Sequence, residues 1–154
     1  NVIWGDTAPT SSVITVDTNS VSGSTPTALT YAWKEIQGYS KFGSYTGNAD
    51  SNGTFVYTGF KPAWVMVKKT SAASTSWLIF DNKRPGYNGT GHRLYTNATD
   101  AEDTDTGDSV DLLSNGFKFR GGSSSSNADG ATFVYHAFAE HPFVSSKGVP
   151  VTAR

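Results

Sequence analysis

With 154 residues and no cysteine, the chain has the length of one domain, has to be held together by packing and not by disulfides, and offers neither thiolate metal ligands nor a cysteine nucleophile. Its 12 Lys and Arg balance 13 Asp and Glu to a formal charge of -1, so no general electrostatic pull draws it to nucleic acid or to anionic membranes. No apolar run reaches the ~20 residues that cross a bilayer, and the N-terminal Asn1-Val-Ile-Trp4 lacks the basic and apolar pattern of a signal peptide.

Sixteen Gly, an aromatic share of 13% and a charged share of 16%, with many Ser and Thr, describe a β-rich protein. Apolar residues at helical spacing are scarce, whereas β-branched and aromatic residues alternate, which predicts almost no helix. Residues 1–27 read as a short strand between polar loops, Val13, Ile14 and Val16 being its apolar positions. Residues 28–38 then alternate, with Leu29, Tyr31 and Trp33 on one face, and predict a strand whose large face packs inward. Gly38-Tyr-Ser-Lys-Phe-Gly43 reads as a bend or bulge, and Asn52-Gly53 as a tight turn. Residues 54–60 are apolar on both faces and predict a central strand, ended by Lys61-Pro62. Residues 63–69 and 77–80 are continuous apolar runs, joined by a Ser/Thr/Ala loop, and predict an antiparallel meander.

The next stretch, residues 81–95, concentrates polar, basic and turn-forming residues directly after a buried strand, where binding groups commonly sit. Val110-Asp-Leu-Leu113 and Phe117-Lys-Phe-Arg120 flank Ser114-Asn115-Gly116 and predict a hairpin. Residues 121–130 form a Ser-rich loop, residues 131–140 the last long strand, and residues 143–154 a tail with little periodicity. Asn127-Ala-Asp-Gly-Ala-Thr-Phe-Val-Tyr135 echoes Asn48-Ala-Asp-Ser-Asn-Gly-Thr-Phe-Val-Tyr57, and Ala137-Phe-Ala-Glu140 echoes Ala32-Trp-Lys-Glu35. These echoes predict that strands 28–38 and 131–140 lie close together. The whole is expected to be a single all-β domain over 1–154, an antiparallel two-sheet sandwich of jelly-roll or lectin-like type.

Four constellations are candidates for chemistry. Asp81, Asn82, Arg84, Tyr87, Asn88, His92 and Tyr95 combine planar hydrogen-bonding groups with aromatic faces, as a saccharide site requires, with Tyr39 and Tyr45 as a second platform; the alternative is that they cap and brace a loop. The acidic run Asp100, Glu102, Asp103, Asp105, Asp108 and Asp111 lacks calcium-loop spacing, which leaves Asp103, Asp105 and Asp108 as weak Ca²⁺ ligands against a solvated loop. His136 and Glu140 share a strand face while His141 points away, a poor geometry for a metal, and no other cofactor is implied. No Gly-x-Ser-x-Gly elbow accompanies the many serines, so an enzyme is not expected. Asn52, Asn88 and Asn97 stand in Asn-x-Ser/Thr sequons.

Trp4-Gly-Asp-Thr-Ala-Pro-Thr-Ser-Ser-Val13, Gly38-Tyr-Ser-Lys-Phe-Gly-Ser-Tyr-Thr-Gly47, Phe55-Val-Tyr-Thr-Gly-Phe60, Asp81-Asn-Lys-Arg84, Leu113-Ser-Asn-Gly-Phe-Lys118 and Ala137-Phe-Ala-Glu140 together resemble a β-rich domain of tail-fibre and other virion structural proteins of marine tailed bacteriophages. The resemblance covers nearly the whole chain and extends to the Pro150-Val-Thr-Ala-Arg154 ending. It implies a lectin-like sandwich in a virion or extracellular setting. The partners it implies are copies of the chain or other virion proteins, with host-surface polysaccharide as the ligand of a fibre domain. It brings no catalytic residues. A chain that starts at Asn1 fits a fragment or a processed product. The alternative is an architectural subunit, a capsid decoration or fibre protein, that assembles without binding a ligand.

Overall fold

A computed structural model describes residues 7–15, 31–84, 88–89, 91–104 and 106–142. The chain divides into two units, Asn1–Trp33 and Lys34–Arg154. In the described part of the first, Thr10 closes a turn by accepting the Val13 amide on Oγ1 at 3.0 Å while its own amide donates to the Val13 carbonyl. Tyr31 and Trp33 stack on each other at 6.0 Å, both largely exposed.

The second unit is an antiparallel β-sandwich. Among the described residues its strands are β1 (Ser40–Thr46), β2 (Phe55–Tyr57), β3 (Pro62–Lys69), β4 (Trp77–Asp81), β5 (Leu94–Tyr95), β6 (Val110–Leu113), β7 (Gly116–Phe119) and β8 (Thr132–Ala139), with one short 3-10 turn at Thr106–Asp108. The large sheet runs β1-β8-β3-β4-β5 and the small one β2-β7-β6. All pairings are antiparallel. The all-β sandwich expected from alternation and composition is therefore borne out, as are the β3/β4 meander and the β6/β7 hairpin, whose register turns at Ser114 and Asn115.

Alternation selects the core. From the large sheet Tyr45, Val65, Val67, Leu78, Phe80, Phe133, Tyr135 and Ala137 point inward, and from the small sheet Val56, Val110, Leu112, Phe117 and Phe119 meet them. Tyr45 stacks on Phe133 at 5.0 Å and on Phe119 at 5.5 Å, and Phe117 meets Tyr135 edge-on at 5.4 Å. Fully burying one such ring removes it from water for about 1.5–3 kcal/mol, so the ring stack is a large share of what holds the sheets together. Burial also raises the Tyr45 hydroxyl well above the usual phenol range, and that hydroxyl donates to the Ser126 carbonyl at 2.6 Å. Gly43 lies opposite Tyr135, where a Cβ would come within 3.0 Å of the ring, so the glycine makes room in a continuous strand.

Five expectations are corrected. Residues 31–35 form no strand, and Tyr31 and Trp33 do not pack inward; residues 28–30 lie outside the described ones. A tight turn at Gly38, with φ 72°, instead launches β1 through the segment read as a bend. Both sides of β8 are occupied, by β1 and β3, so the described residues 31–38 do not pair with it. Residues 54–60 are not a central strand: β2 is three residues at the edge of the small sheet, with Val56 inward and Phe55 and Tyr57 exposed. Pro62 does not end a strand but starts β3 beside a register shift, a position where its missing N–H is tolerated.

The sequence echo has a different physical meaning. Asn127, fully buried, donates through Nδ2 to Asn48 Oδ1 at 3.0 Å and to the Asp50 and Gly121 carbonyls at 3.2 and 3.0 Å. Its Oδ1 accepts the Asn48 amide at 3.2 Å, and its carbonyl accepts the Ala49 amide at 2.7 Å. The two Asn-Ala-Asp segments thus brace each other, and they enter strands in different sheets.

Candidate functional site

The residues singled out after β4 are brought together, but mainly to serve one another. Asp81 closes its loop by accepting the Lys83 and Arg84 amides on Oδ1, at 2.9 and 3.2 Å, while Oδ2 pairs with Arg84 Nε at 3.0 Å. Asn82 donates Nδ2 to Glu140 Oε1 at 2.8 Å, and the other Glu140 oxygen pairs with Lys61 at 2.8 Å. Glu102 joins His92, at 2.7 Å, to Arg84, whose Nη1 lies 3.4 Å away and outside hydrogen-bond geometry. Asn88, at φ 56°, accepts the Leu112 amide on Oδ1 at 2.9 Å and so ties the loop to β6. Tyr95 donates its hydroxyl to Asp103 at 2.7 Å. Tyr87 lies outside the described residues. Of the second platform, Tyr45 belongs to the core, and only Tyr39 is exposed.

Two carboxylates of the acidic run are drawn onto a buried cation. Arg93, just after His92, places one Nη on Asp108 and the other on Asp103 at 2.7 Å, with Nε donating to Tyr95 Oη at 3.0 Å. The Arg93 and Asp103 backbones also exchange hydrogen bonds, and Asp108 accepts the Ser126 hydroxyl. Burial opposes the arginine's charge, but the Tyr95 hydrogen bond and the two carboxylates hold its pKa above the ordinary value. Asp103 and Asp108 therefore neutralise a guanidinium, and Asp105 lies outside the described residues. Among the described residues no three His, Asp or Glu side chains converge as a metal site. Sequence inspection missed this network; the available signal was one arginine followed by a carboxylate-rich segment.

A second missed feature is the outer face of the large sheet. Across the register, Phe42, His136, Met66, Ile79 and Leu94 form one row, with Phe138 and Trp64 on one side of it and Val134 and Trp77 on the other. All are partly exposed. Phe42 meets His136 edge-on at 5.2 Å and Phe138 at 5.9 Å; Phe138 in turn contacts Trp64 at 5.5 Å and Tyr39 at 5.8 Å. An antiparallel sheet with one wet face normally alternates apolar with polar; here the outer face is largely apolar too, with Lys68 standing between Val134 and Trp77. The signal was in the sequence: β3, β4 and β8 read as continuous apolar runs.

Two titrating groups follow from this geometry. Burial among these rings lowers the His136 pKa from 6.5, and Lys61 lowers that of Glu140 from 4.5. In both cases the unfolded chain binds protons more readily than the folded one, so stability is complete above the unfolded pKa and falls as pH drops. Urea midpoints are expected to decline as pH falls below 6.5 toward the lower pKa of folded His136, and again below 4.5 as Glu140 is titrated; His136→Gln removes the first decline only.

At one end of the sandwich, a groove of about 360 Å³ opens between the turn before β1 and the segment after β2. Glu35, Gln37 and Lys41 form one wall, Tyr57, Thr58 and Gly59 the other. Glu35 and Lys41 pair at 2.5 Å with both side chains open to solvent, a contact that raises the Lys41 pKa. Tyr57 is 64% exposed.

Fold and surfaces together define an antiparallel β-sandwich module with an aromatic outer sheet face and a groove at one end that carries one charged pair. The chain belongs to the family described as domain of unknown function DUF7483, whose model matches residues 1–142. No curated protein and no solved structure matches it.

Proposed function

We propose that the chain is a non-enzymatic structural domain of a bacteriophage virion, of the tail-fibre or surface-fibre kind, that packs against copies of itself or other virion proteins and meets the host surface. The observation that carries the structural role is the aromatic outer face of the β1-β8-β3-β4-β5 sheet, where Phe42, Trp64, Met66, Trp77, Ile79 and Phe138 stand together opposite a core that is already complete. A subunit surface accounts for such a face, because apolar patches rimmed by polar residues are typical of protein–protein contacts. The motif resemblance over nearly the whole chain supports the virion setting. The internally satisfied polar groups around Arg93 favour a rigid scaffold over a reacting centre.

Immunogold electron microscopy with antibodies against the purified protein tests the setting. Labelling of fibres or of the particle surface is expected. Particles that stay bare while the protein accumulates free in the lysate would contradict the proposal.

A further inference from the structure

We infer that the groove between Glu35 and Tyr57 is a binding site for a neutral saccharide. The inference rests on the host-attachment part of the reading above and moves the contact away from the 81–95 loop, where Asp81, Asn82, His92 and Tyr95 are engaged in bracing the fold. In the groove the polar pair, Glu35 and Lys41, is open to solvent. The groove volume, about 360 Å³, falls at the lower end of small-molecule sites and suits one or two sugar rings.

Its chemistry selects a polyol. Glu35 and Lys41 stand side by side at 2.5 Å with exposed side chains, an acceptor and a donor at the spacing of two neighbouring hydroxyls, each of which both donates and accepts. Because the two charges cancel, the wall holds no net charge to favour phosphate, nucleotide or carboxylate ligands. Gln37 adds an amide to the same wall. Opposite it, the exposed Tyr57 ring offers a flat face to the C–H side of a sugar. Gly59, at φ 81°, turns the chain just after β2 so that this ring lies against the glycine, 3.6–3.8 Å from where a Cβ would stand.

The full chain should be titrated with neutral hexose and N-acetylhexosamine di- to tetrasaccharides and followed by amide chemical shifts. At least one is expected to give saturable shifts at Glu35, Gln37, Lys41 and Gly59. Tyr57→Ala and Lys41→Met should each raise its Kd at least about tenfold while the melting temperature stays put. No saturable groove shift with any of these sugars up to about 10 mM, shifts confined to 81–95, or an unchanged Kd in Tyr57→Ala would overturn the inference. Particle labelling does not depend on the groove, so a silent groove on labelled particles refutes this inference alone, whereas bare particles refute the virion setting on which it rests.

Discussion

Replacing Arg93 with Met is expected to lower the unfolding free energy by about 3–5 kcal/mol, the cost of leaving a buried carboxylate without its cation. Arg93 is 5% exposed and Asp108 1%, so water reaches neither charge easily. Asp108 has two ties to the rest of the molecule: one oxygen takes the guanidinium, the other the Ser126 hydroxyl. The Ser126 carbonyl then accepts the Tyr45 hydroxyl, which links the β5 edge to the centre of the ring stack. Losing the cation therefore disturbs the loop at Thr106–Asp108 and the core residue beneath it. Domains of this size have about 5–15 kcal/mol in total, so the variant is expected to be marginal near room temperature.

Asp108→Asn keeps the shape but removes the charge, and the double variant Arg93→Met with Asp108→Asn should cost less than the two single losses added together. Urea midpoints of the three variants supply the measurement. Strict additivity would show that the two groups do not act as a pair.

The second large effect concerns association. Ile79 lies near the middle of the outer face, beside Met66 and level with His136 and Phe42. In an isolated chain a carboxylate at position 79 can reach water, because the position is only partly covered, and folding should lose no more than about 1 kcal/mol. In a self-contact the same carboxylate would be buried without a partner, which costs several kcal/mol. Ile79→Glu is thus expected to weaken self-association at least about 100-fold while its melting curve stays close to that of the parent. Phe42→Glu, on the edge strand β1, should act in the same direction with a smaller effect, since the sheet rim is easier to rehydrate.

How much of this could be read in the chain differs from element to element. β3, β4, β6, β7 and β8 were legible because each carries an apolar or alternating run bounded by clear turn residues, Asn115-Gly116 being the plainest. β1 was not legible. Lys41, Gly43 and Tyr45 share one face of the strand, a pattern that looks like a bend until Tyr135 is known to need the space over Gly43. The alternating residues at 31 and 33 misled for the opposite reason: periodicity identifies a possible face, but not whether a neighbouring strand edge is free to receive it.

Among the candidate binding residues, the sequence identified a real cluster and could not assign its task. Asp81, Asn82, His92 and Tyr95 do converge with charged neighbours, yet their partners, Glu140, Glu102 and Asp103, come from segments that only the fold brings near. Likewise the groove joins residues 35–41 to 57–59 across two sheets, a proximity no local pattern encodes. The aromatic outer face was written in the continuous apolar runs, but a run that is apolar on both sides signals only that each side is covered, not by what.

Sedimentation of the purified full chain beside its Ile79→Glu variant tests the central claim most directly, namely that the outer face of the large sheet is a contact surface between copies. The parent is expected to sediment as an oligomer at concentrations of about 10 µM, and the variant as a folded monomer. A parent that stays monomeric up to about 100 µM, or a variant that associates as strongly as the parent, would contradict it.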